Sequence, residues 1–294
     1  MDPQKLPRRA GVRQPQLPLV TRLFVVSAGA LAIWLSMTAL GTVVWGEETP
    51  LERHLANALW VFVLACLLVI LARLFLDRRT VETLGLIRGR TALRDLLYGA
   101  LTFLVPAVMG LAVAMAAGWL QITIDATPSE SVGALLLVIA LVLAYEAVPE
   151  ELVFRGYIHR NLTAAMAPWL AVLVQALLFT AFGTFLWVVT AGWGVFVERL
   201  MLFFGMGVVL GCIRHISGSL WAAIGFHLAF QVVMQAALGG RYLAVSVSNP
   251  QVFTIATAVV AFVAATALAG FMWRGEQNWT QPEPDAVPEA AWDG

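Results

Sequence analysis

The chain has 294 residues, of which 60% are hydrophobic and 12% charged, and its formal net charge is zero. A soluble domain of this size carries roughly 25% charged residues, so this composition excludes an ordinary soluble enzyme and indicates a polytopic membrane protein. The lack of net charge argues against a nucleic-acid partner bound through bulk electrostatics. The two cysteines, Cys66 and Cys212, lie in or at the end of apolar runs, which argues against a disulfide framework.

Apolar runs of roughly 20 residues, the length that crosses a bilayer as a helix, recur along the whole chain. The predicted fold class is therefore all-α, a polytopic membrane helix bundle of about eight transmembrane helices. The predicted spans are Leu23–Trp45, Leu55–Leu76, Leu96–Leu120, Val132–Ile158, Ala167–Val189, Val195–Ile213, Ser219–Leu238 and Val252–Trp273.

Composition divides the chain into five predicted parts. Residues 1–22 are basic and rich in Pro and Gln, and residues 274–294 are acidic and rich in Pro, so both are predicted to be disordered tails. Between them lie N-terminal transmembrane helices and loops (23–131), a core with the motifs described below (132–238), and a loop with the last helix (239–273). No cleavable signal peptide is predicted, because no short apolar region with a small-residue cleavage site follows the polar start.

The basic residues predict the orientation. With the N-terminus inside, 15 of the 18 Lys and Arg residues fall on or beside the inner side, and only Arg53, Arg199 and Arg241 fall outside. Such a bias marks cytoplasmic loops, so we expect a multi-pass plasma-membrane protein with both termini in the cytoplasm. At 1.5 Å per residue, Glu150 would lie about 27 Å along the helix from Val132, near the inner boundary and reachable from the cytosol.

The segment Pro149–Gly156, PEELVFRG, ends the apolar run of the fourth predicted helix. Ionisable groups at such a place are energetically expensive and indicate a functional site. Glu151 and Arg155 are four residues apart and share a helical face, so they are predicted to pair. Glu150 points about 100° away and remains available as a general base. Ordinary charged residues at a membrane interface, with Arg155 snorkelling, explain the same pattern, and spacing leaves both interpretations open.

A second candidate pair, His227 and Gln231, is four residues apart in the seventh predicted helix. The other histidines, His54, His159 and His215, fall in loops or at helix ends, so only His227 lies mid-span. A lone histidine in a helix bundle is often a structural hydrogen bonder. With the amide of Gln231 one turn later, the imidazole could instead donate to a developing oxyanion. The spacing favours neither alternative.

Together these residues resemble the motifs of the CPBP family, which comprises the CAAX prenyl endopeptidases and the bacteriocin-processing or immunity proteins, also called the ABI family of intramembrane proteases. The resemblance covers about Leu135–Leu238. It rests on Glu150-Glu151-x-x-x-Arg155-Gly156-Tyr157 as the first motif, on Gly207–Gly211 and Ser217-Gly218-Ser219-Leu220-Trp221 followed by His227 as the last motif region, and on Thr83–Leu86 as the segment before the core.

The resemblance implies an intramembrane endopeptidase that cleaves membrane-associated peptides or proteins. It implies that Glu150 activates a water molecule, that Arg155 holds Glu151, and that His227, with Gln231 beside it, stabilises the oxyanion. The implied partners are the lipid bilayer and a membrane-associated substrate, prenylated as in the eukaryotic relatives or not.

This sequence departs from the family pattern at the middle motif, where a phenylalanine is followed four residues later by a histidine that positions the water. Here the run from Phe179 ends in Gly183, and a water molecule is one candidate to fill the space. Gln231 stands where the family usually has Asn or Asp. Zinc is poorly supported as a cofactor, because the absence of the middle-motif histidine leaves only Glu150, Glu151 and His227 as inward-facing ligands. A catalytically degenerate binding, immunity or scaffold protein is therefore the second hypothesis, and a transporter is the third.

Overall fold

The computed structural model describes residues 17–284, and the predicted tail residues 1–16 and 285–294 lie outside the described range. Within that range, eight helical segments are long and apolar enough to cross a membrane, which confirms the predicted fold class. They are α1 (Leu19–Trp45), α2 (Leu51–Leu76), α3 (Arg90–Ala116), α4 (Pro128–Thr163), α5 (Pro168–Ala191), α6 (Trp193–Ser217), α7 (Leu220–Leu238) and α8 (Pro250–Met272).

Several helices extend past their apolar runs, because polar residues also join them. α1 begins at Leu19, so Arg22, predicted to lie in the disordered tail, is helical and buried. α4 begins earlier than predicted because Thr127 and Glu130 form a capping box that satisfies free amide groups of the first turn. α4 also continues to Thr163, well past the carboxylates.

A small antiparallel sheet links two segments that were predicted to be polar loops. β1 (Ile122–Ile124) pairs with β2 (Val245–Val247), and Ile122 lies opposite Val247. Both strands alternate β-branched and hydroxyl residues with a period of two, a signal that a search for membrane spans does not use. The sheet joins the loop before α4 to the loop after α7.

Small residues allow the helices around the candidate site to pack closely. A Cβ atom added at Gly99 of α3 would lie 1.9 Å from the carbonyl oxygen of Ala222 in α7, and one at Gly225 would lie 2.0 Å from the carbonyl oxygen of Leu96. Close backbone approach through glycine is typical of packing between membrane helices. These contacts fix α7, which carries His227, against α3.

A buried polar cluster at one end of the bundle centres on Asp77. This carboxylate accepts hydrogen bonds from Arg22, from Arg73 Nη1 at 2.8 Å, from the Tyr157 hydroxyl at 3.0 Å and from Asn161 Nδ2 at 2.9 Å. The donors come from α1, α2 and α4. Asp77 therefore links three helices through one acceptor that is 1% exposed.

Replacing Asp77 with alanine is expected to destabilise the fold by about 3–5 kcal/mol, because two buried arginines lose their common counter-charge. Unfolding of the purified protein in detergent, followed by heat or denaturant, measures this loss. Asp125→Ala is the control, since Asp125 is exposed. Equal stability losses in the two variants would show that the cluster does not stabilise the bundle.

Candidate active site

The helix that carries the paired glutamates is irregular at this position. π-Helical turns at Leu143–Ala147 and Leu152–Ile158 flank a single α-helical turn, Val148–Glu151, which contains Pro149. Proline has no amide hydrogen to donate, and a wider turn before it accommodates the lost hydrogen bond. Such π-helical turns occur frequently at functional sites.

The ion pair predicted from the spacing of Glu151 and Arg155 is present and fully buried. Arg155 Nη1 donates to Glu151 Oε1 at 2.9 Å, and both side chains are 0% exposed. Arg155 Nη2 also donates to the carbonyl of Gly207 at 3.4 Å, and the guanidinium lies 4.3 Å from the centre of the Phe179 ring. Arg155 therefore both neutralises Glu151 and joins α4 to α5 and α6.

Replacing Arg155 with methionine is expected to destabilise the protein by about 3–5 kcal/mol, because a buried carboxylate is left without its cation. Arg88→Met is the matched control, since Arg88 pairs with Glu82 at 3.7 Å at the surface, where an ion pair contributes about 0–1 kcal/mol. Thermal unfolding of both variants measures the difference. A small effect at Arg155 would contradict its assignment as the partner of Glu151.

His227 joins the same cluster from α7. Its Nδ1 lies 2.9 Å from Glu151 Oε1, and its Nε2 lies 4.0 Å from Glu150 Oε2. Because Glu151 pairs with Arg155 as a carboxylate, which only accepts hydrogen bonds, we assign the hydrogen of this contact to Nδ1. The Nε2 atom has no hydrogen-bond partner within residues 17–284 and is turned toward Glu150. The structure thus brings Glu150, Glu151, Arg155 and His227 together.

Glu150 and His227 line a cavity of about 570 Å³ inside the bundle. The cavity reaches Thr190 near the end of α5 and Arg199 near the start of α6, and Arg241 also lines it. This end of the bundle is the one that the charge bias assigns to the outside. The sequence predicts access to Glu150 from the inner boundary, whereas this cavity runs from Glu150 toward the opposite end of the bundle. The difference arises because α4 continues past its apolar run to Thr163, so the carboxylates lie inside the bundle.

Gln231 contacts a carboxylate that the motif-based prediction does not include. Gln231 Nε2 donates to Glu146, and Gln235 Nε2 donates to the other oxygen of Glu146 at 2.7 Å. Glu146 lies one turn before Glu150 and lines the same cavity. The amide of Gln231, predicted to stand beside the oxyanion, is therefore used on Glu146. The four-residue spacing of Glu146 from Glu150, matched by Gln231 and Gln235 on α7, is the sequence signal for this pairing.

Gly183 also lines the cavity, and a phenylalanine occupies the space beside it. A Cβ atom at position 183 would lie 2.7 Å from ring atoms of Phe203 in α6. The Phe203 ring packs edge-on against Phe179 with a centroid distance of 5.5 Å. The Phe203 ring thus lies where the side chain of a middle-motif histidine would begin.

The residues of this cluster do not fit a zinc site. Among residues 17–284, no three His, Cys, Asp or Glu side chains are placed to hold one metal ion. One imidazole nitrogen of His227 is already engaged by Glu151. No chemical step is therefore assigned to zinc.

The fold and the site together define a multi-pass helical membrane protein with a buried Glu-Arg-His cluster facing an internal cavity. Residues 132–233 match the family described as Type II CAAX prenyl endopeptidase Rce1-like. Residues 132–233 therefore match the CPBP/CAAX family, and the predicted resemblance is confirmed. The match begins in α4 and ends in α7, and it contains all five predicted site residues. A comparison with curated proteins finds no match.

Proposed function

We propose that this protein is a CAAX-type intramembrane endopeptidase that hydrolyses membrane-associated peptides with water activated by Glu150. The observation that supports this proposal is that the two glutamates of the cluster differ in their contacts and in their exposure. Glu151 is held by Arg155 and His227, whereas the Glu150 side chain is 14% exposed and faces the cavity. A carboxylate fixed beside an accessible space can accept a proton from a water molecule there.

In the proposed reaction, Glu150 takes a proton from the water as its oxygen attacks the peptide carbonyl carbon. His227, protonated on both nitrogens, donates Nδ1–H to Glu151 and Nε2–H to the developing oxyanion. The intermediate then collapses, the C–N bond breaks, and Glu150 returns its proton to the leaving amine. The new carboxylic acid then gives its remaining proton to the amine, so the products are a carboxylate and an ammonium group, and the enzyme is restored to its starting state.

Glu146 is proposed to position the same water from the other side of Glu150. Its carboxylate is held by two amide donors, Gln231 and Gln235, so it presents acceptor oxygens in a fixed place. An acceptor for the second hydrogen of the water would restrict its orientation during attack. In this chain Glu146 would then take over the task that the family gives to the middle-motif histidine.

The course of the cavity favours a substrate that approaches from the end of the bundle bearing Arg199 and Arg241. With both termini in the cytoplasm, as the charge bias predicts, this end faces the outside of the plasma membrane. The proposed substrate is a membrane-associated peptide segment that enters from that side. Prenylation of the substrate stays a prediction.

Hydrolysis in water labelled with oxygen-18 tests the proposed function. The purified protein is incubated with membrane-tethered peptides, and mass spectrometry follows the cleavage products. We expect one labelled oxygen in each new carboxylate with the natural protein and intact peptide with Glu150→Ala. Equal cleavage by both proteins would exclude the mechanism proposed for Glu150.

The second candidate function is a non-catalytic relative that binds membrane segments or a partner protein. The observation that favours it is the Phe203 ring packed beside Gly183, since the middle-motif imidazole is absent and its space is filled. Such a protein would bind the same tethered peptides without cleaving them. Binding without labelled product would support this candidate.

A further inference from the structure

A second cavity, of about 360 Å³, lies at the opposite end of the bundle from Arg199 and Arg241. It forms where α4 and α6 end and α7 begins, beside the 3-10 turn Val81–Leu84. None of its lining residues belongs to the proposed hydrolytic site. Its basic lining residues are His159, Arg160, Arg214 and His215.

Arg214 is a buried charge that forms no direct ion pair within the described residues 17–284. It is 7% exposed, and its Nη2 donates to the carbonyl of Leu84 at 3.2 Å. Its Nε has no hydrogen-bond partner, and no carboxylate among residues 17–284 forms an ion pair with it. Gly85, at φ +84°, leaves the room for the guanidinium, since a Cβ there would lie 2.5 Å from Nη2. Buried charges are ordinarily paired, so the missing partner points to an anionic ligand.

The histidines beside Arg214 supply further hydrogen-bonding groups. His159 is 3% exposed, and its Nε2 has no partner within the part of the chain that the structure describes. The ring centroid of His159 lies 6.4 Å from that of His215. His215 is 5% exposed, and its Nε2 lies 3.2 Å from the carbonyl oxygen of Asn278. Two imidazoles and a guanidinium around one cavity match the several oxygens of a phosphate-type group.

The segment after α8, which composition predicts to be a disordered tail, contacts the bundle beside this cavity and contributes Glu283 to its lining. The Glu283 amide donates to the Thr163 carbonyl at 2.8 Å, and Arg160 Nη1 donates to the Glu283 carbonyl at 2.9 Å. The Trp279 ring packs against His215 with a centroid distance of 4.3 Å. This aromatic anchor outweighs the acidic, Pro-rich composition on which the prediction was based.

Glu283 also places an anion at the rim of the cavity. Its Oε1 lies 3.8 Å from His215 Nδ1, and its side chain is 47% exposed. The other lining carboxylate, Glu82, is 67% exposed and pairs with Arg88. Glu283 therefore interacts favourably with Arg214 at longer range, without a direct ion pair, and is positioned to compete with an incoming anion.

We propose that this cavity binds a phosphate-type anion, whose oxygens accept hydrogen bonds from Arg214, His159 and His215 after Glu283 has moved aside. The cavity lies where membrane-crossing helices end, so the phosphate group could belong to a phospholipid headgroup or to a soluble compound. The site is separate from the cavity of Glu150, and the proposal does not depend on the proposed hydrolysis.

The imidazole signals of the four histidines, recorded by nuclear magnetic resonance, test the site. His159 and His215 line this cavity, whereas His54 and His227 line the other one and serve as internal controls. The full-length protein, labelled at the histidine ring nitrogens, is placed in phosphatidylcholine nanodiscs and titrated with inorganic phosphate. A second sample in nanodiscs that also contain phosphatidylglycerol is recorded without added phosphate.

We expect the signals of His159 and His215 to move with phosphate, with phosphatidylglycerol or with both, while those of His54 and His227 stay in place. A response to phosphate identifies a soluble source, and a response to phosphatidylglycerol alone identifies a lipid headgroup. Equal movement of all four signals, or movement of none in either sample, would overturn the proposal.

Glu283→Gln removes the competing charge from a side chain that is 47% exposed. It is expected to bind the responding anion roughly tenfold more tightly, since one charge-assisted contact contributes a factor of that order. Glu276→Gln, in the same segment but away from the cavity, is expected to bind as the natural protein does. Arg214→Gln is expected to abolish the response. Unchanged or weaker binding by Glu283→Gln would contradict the assignment of Glu283 as competitor and with it the proposed site.

Discussion

Replacing Glu150 with glutamine is expected to lower the rate of peptide hydrolysis by about 10²–10⁴, the contribution typical of a general base. Glutamine has nearly the same size and can still occupy the cavity, but its amide cannot take a proton from water. The His227 contact with Glu151 does not involve Glu150, so the fold should persist. The rate of product formation from a membrane-tethered peptide measures the effect, and thermal unfolding confirms that the variant is folded.

Glu146→Gln is the matched control for Glu150→Gln, because both carboxylates lie on α4 and line the same cavity. The amide oxygen at position 146 can still accept a hydrogen bond from one of Gln231 and Gln235, and its NH2 group can donate to the other once that side-chain amide has rotated. We expect a loss of about 10²-fold, the effect of a poorly positioned reactant, with the peptide still bound. If Glu146→Gln abolished hydrolysis while Glu150→Gln retained it, the roles of the two carboxylates would have to be exchanged.

Much of the fold follows from hydrophobic patterning alone. A run of roughly 20 apolar residues has few alternatives to a membrane-crossing helix, because its backbone polar groups must be satisfied within the segment. The ends of the helices were less predictable, since capping and buried polar contacts decide them. Arg22 illustrates this limit: it is basic and follows a Pro-rich segment, yet it binds Asp77, which lies 55 residues later in the chain.

The candidate site was predictable where its contacts are local. The pairing of Glu151 with Arg155 follows from their spacing on one helix. The pairing of Gln231 with Glu146 joins residues 85 positions apart, and the packing of Phe203 against Gly183 joins two helices. Contacts of this kind depend on how the helices are arranged, which the spacing of residues along one helix does not determine.

Restoring a histidine at position 183 is expected to raise the rate of hydrolysis only when room is made for it. A Cβ at this position would approach the Phe203 ring to 2.7 Å, so Gly183→His alone overpacks the site and is expected to destabilise the protein by about 1–3 kcal/mol. The double variant Gly183→His with Phe203→Ala removes the ring that fills the space. We expect it to exceed the rate of its parent, but by less than the factor of about 10²–10⁴ that a full acid–base partner contributes, because Glu146 is proposed to position the same water already.

Phe203→Ala alone is the parent and control for this comparison, because it opens the same space without supplying an imidazole. Its hydrolysis rate should not exceed that of the natural protein, and its thermal unfolding provides the reference for the double variant. A double variant that folds as well as Phe203→Ala and shows no gain would mean that the absent imidazole does not limit hydrolysis. If the natural protein also leaves tethered peptides intact, that outcome favours the non-catalytic function, since the site would then lack activity for a reason other than Gly183.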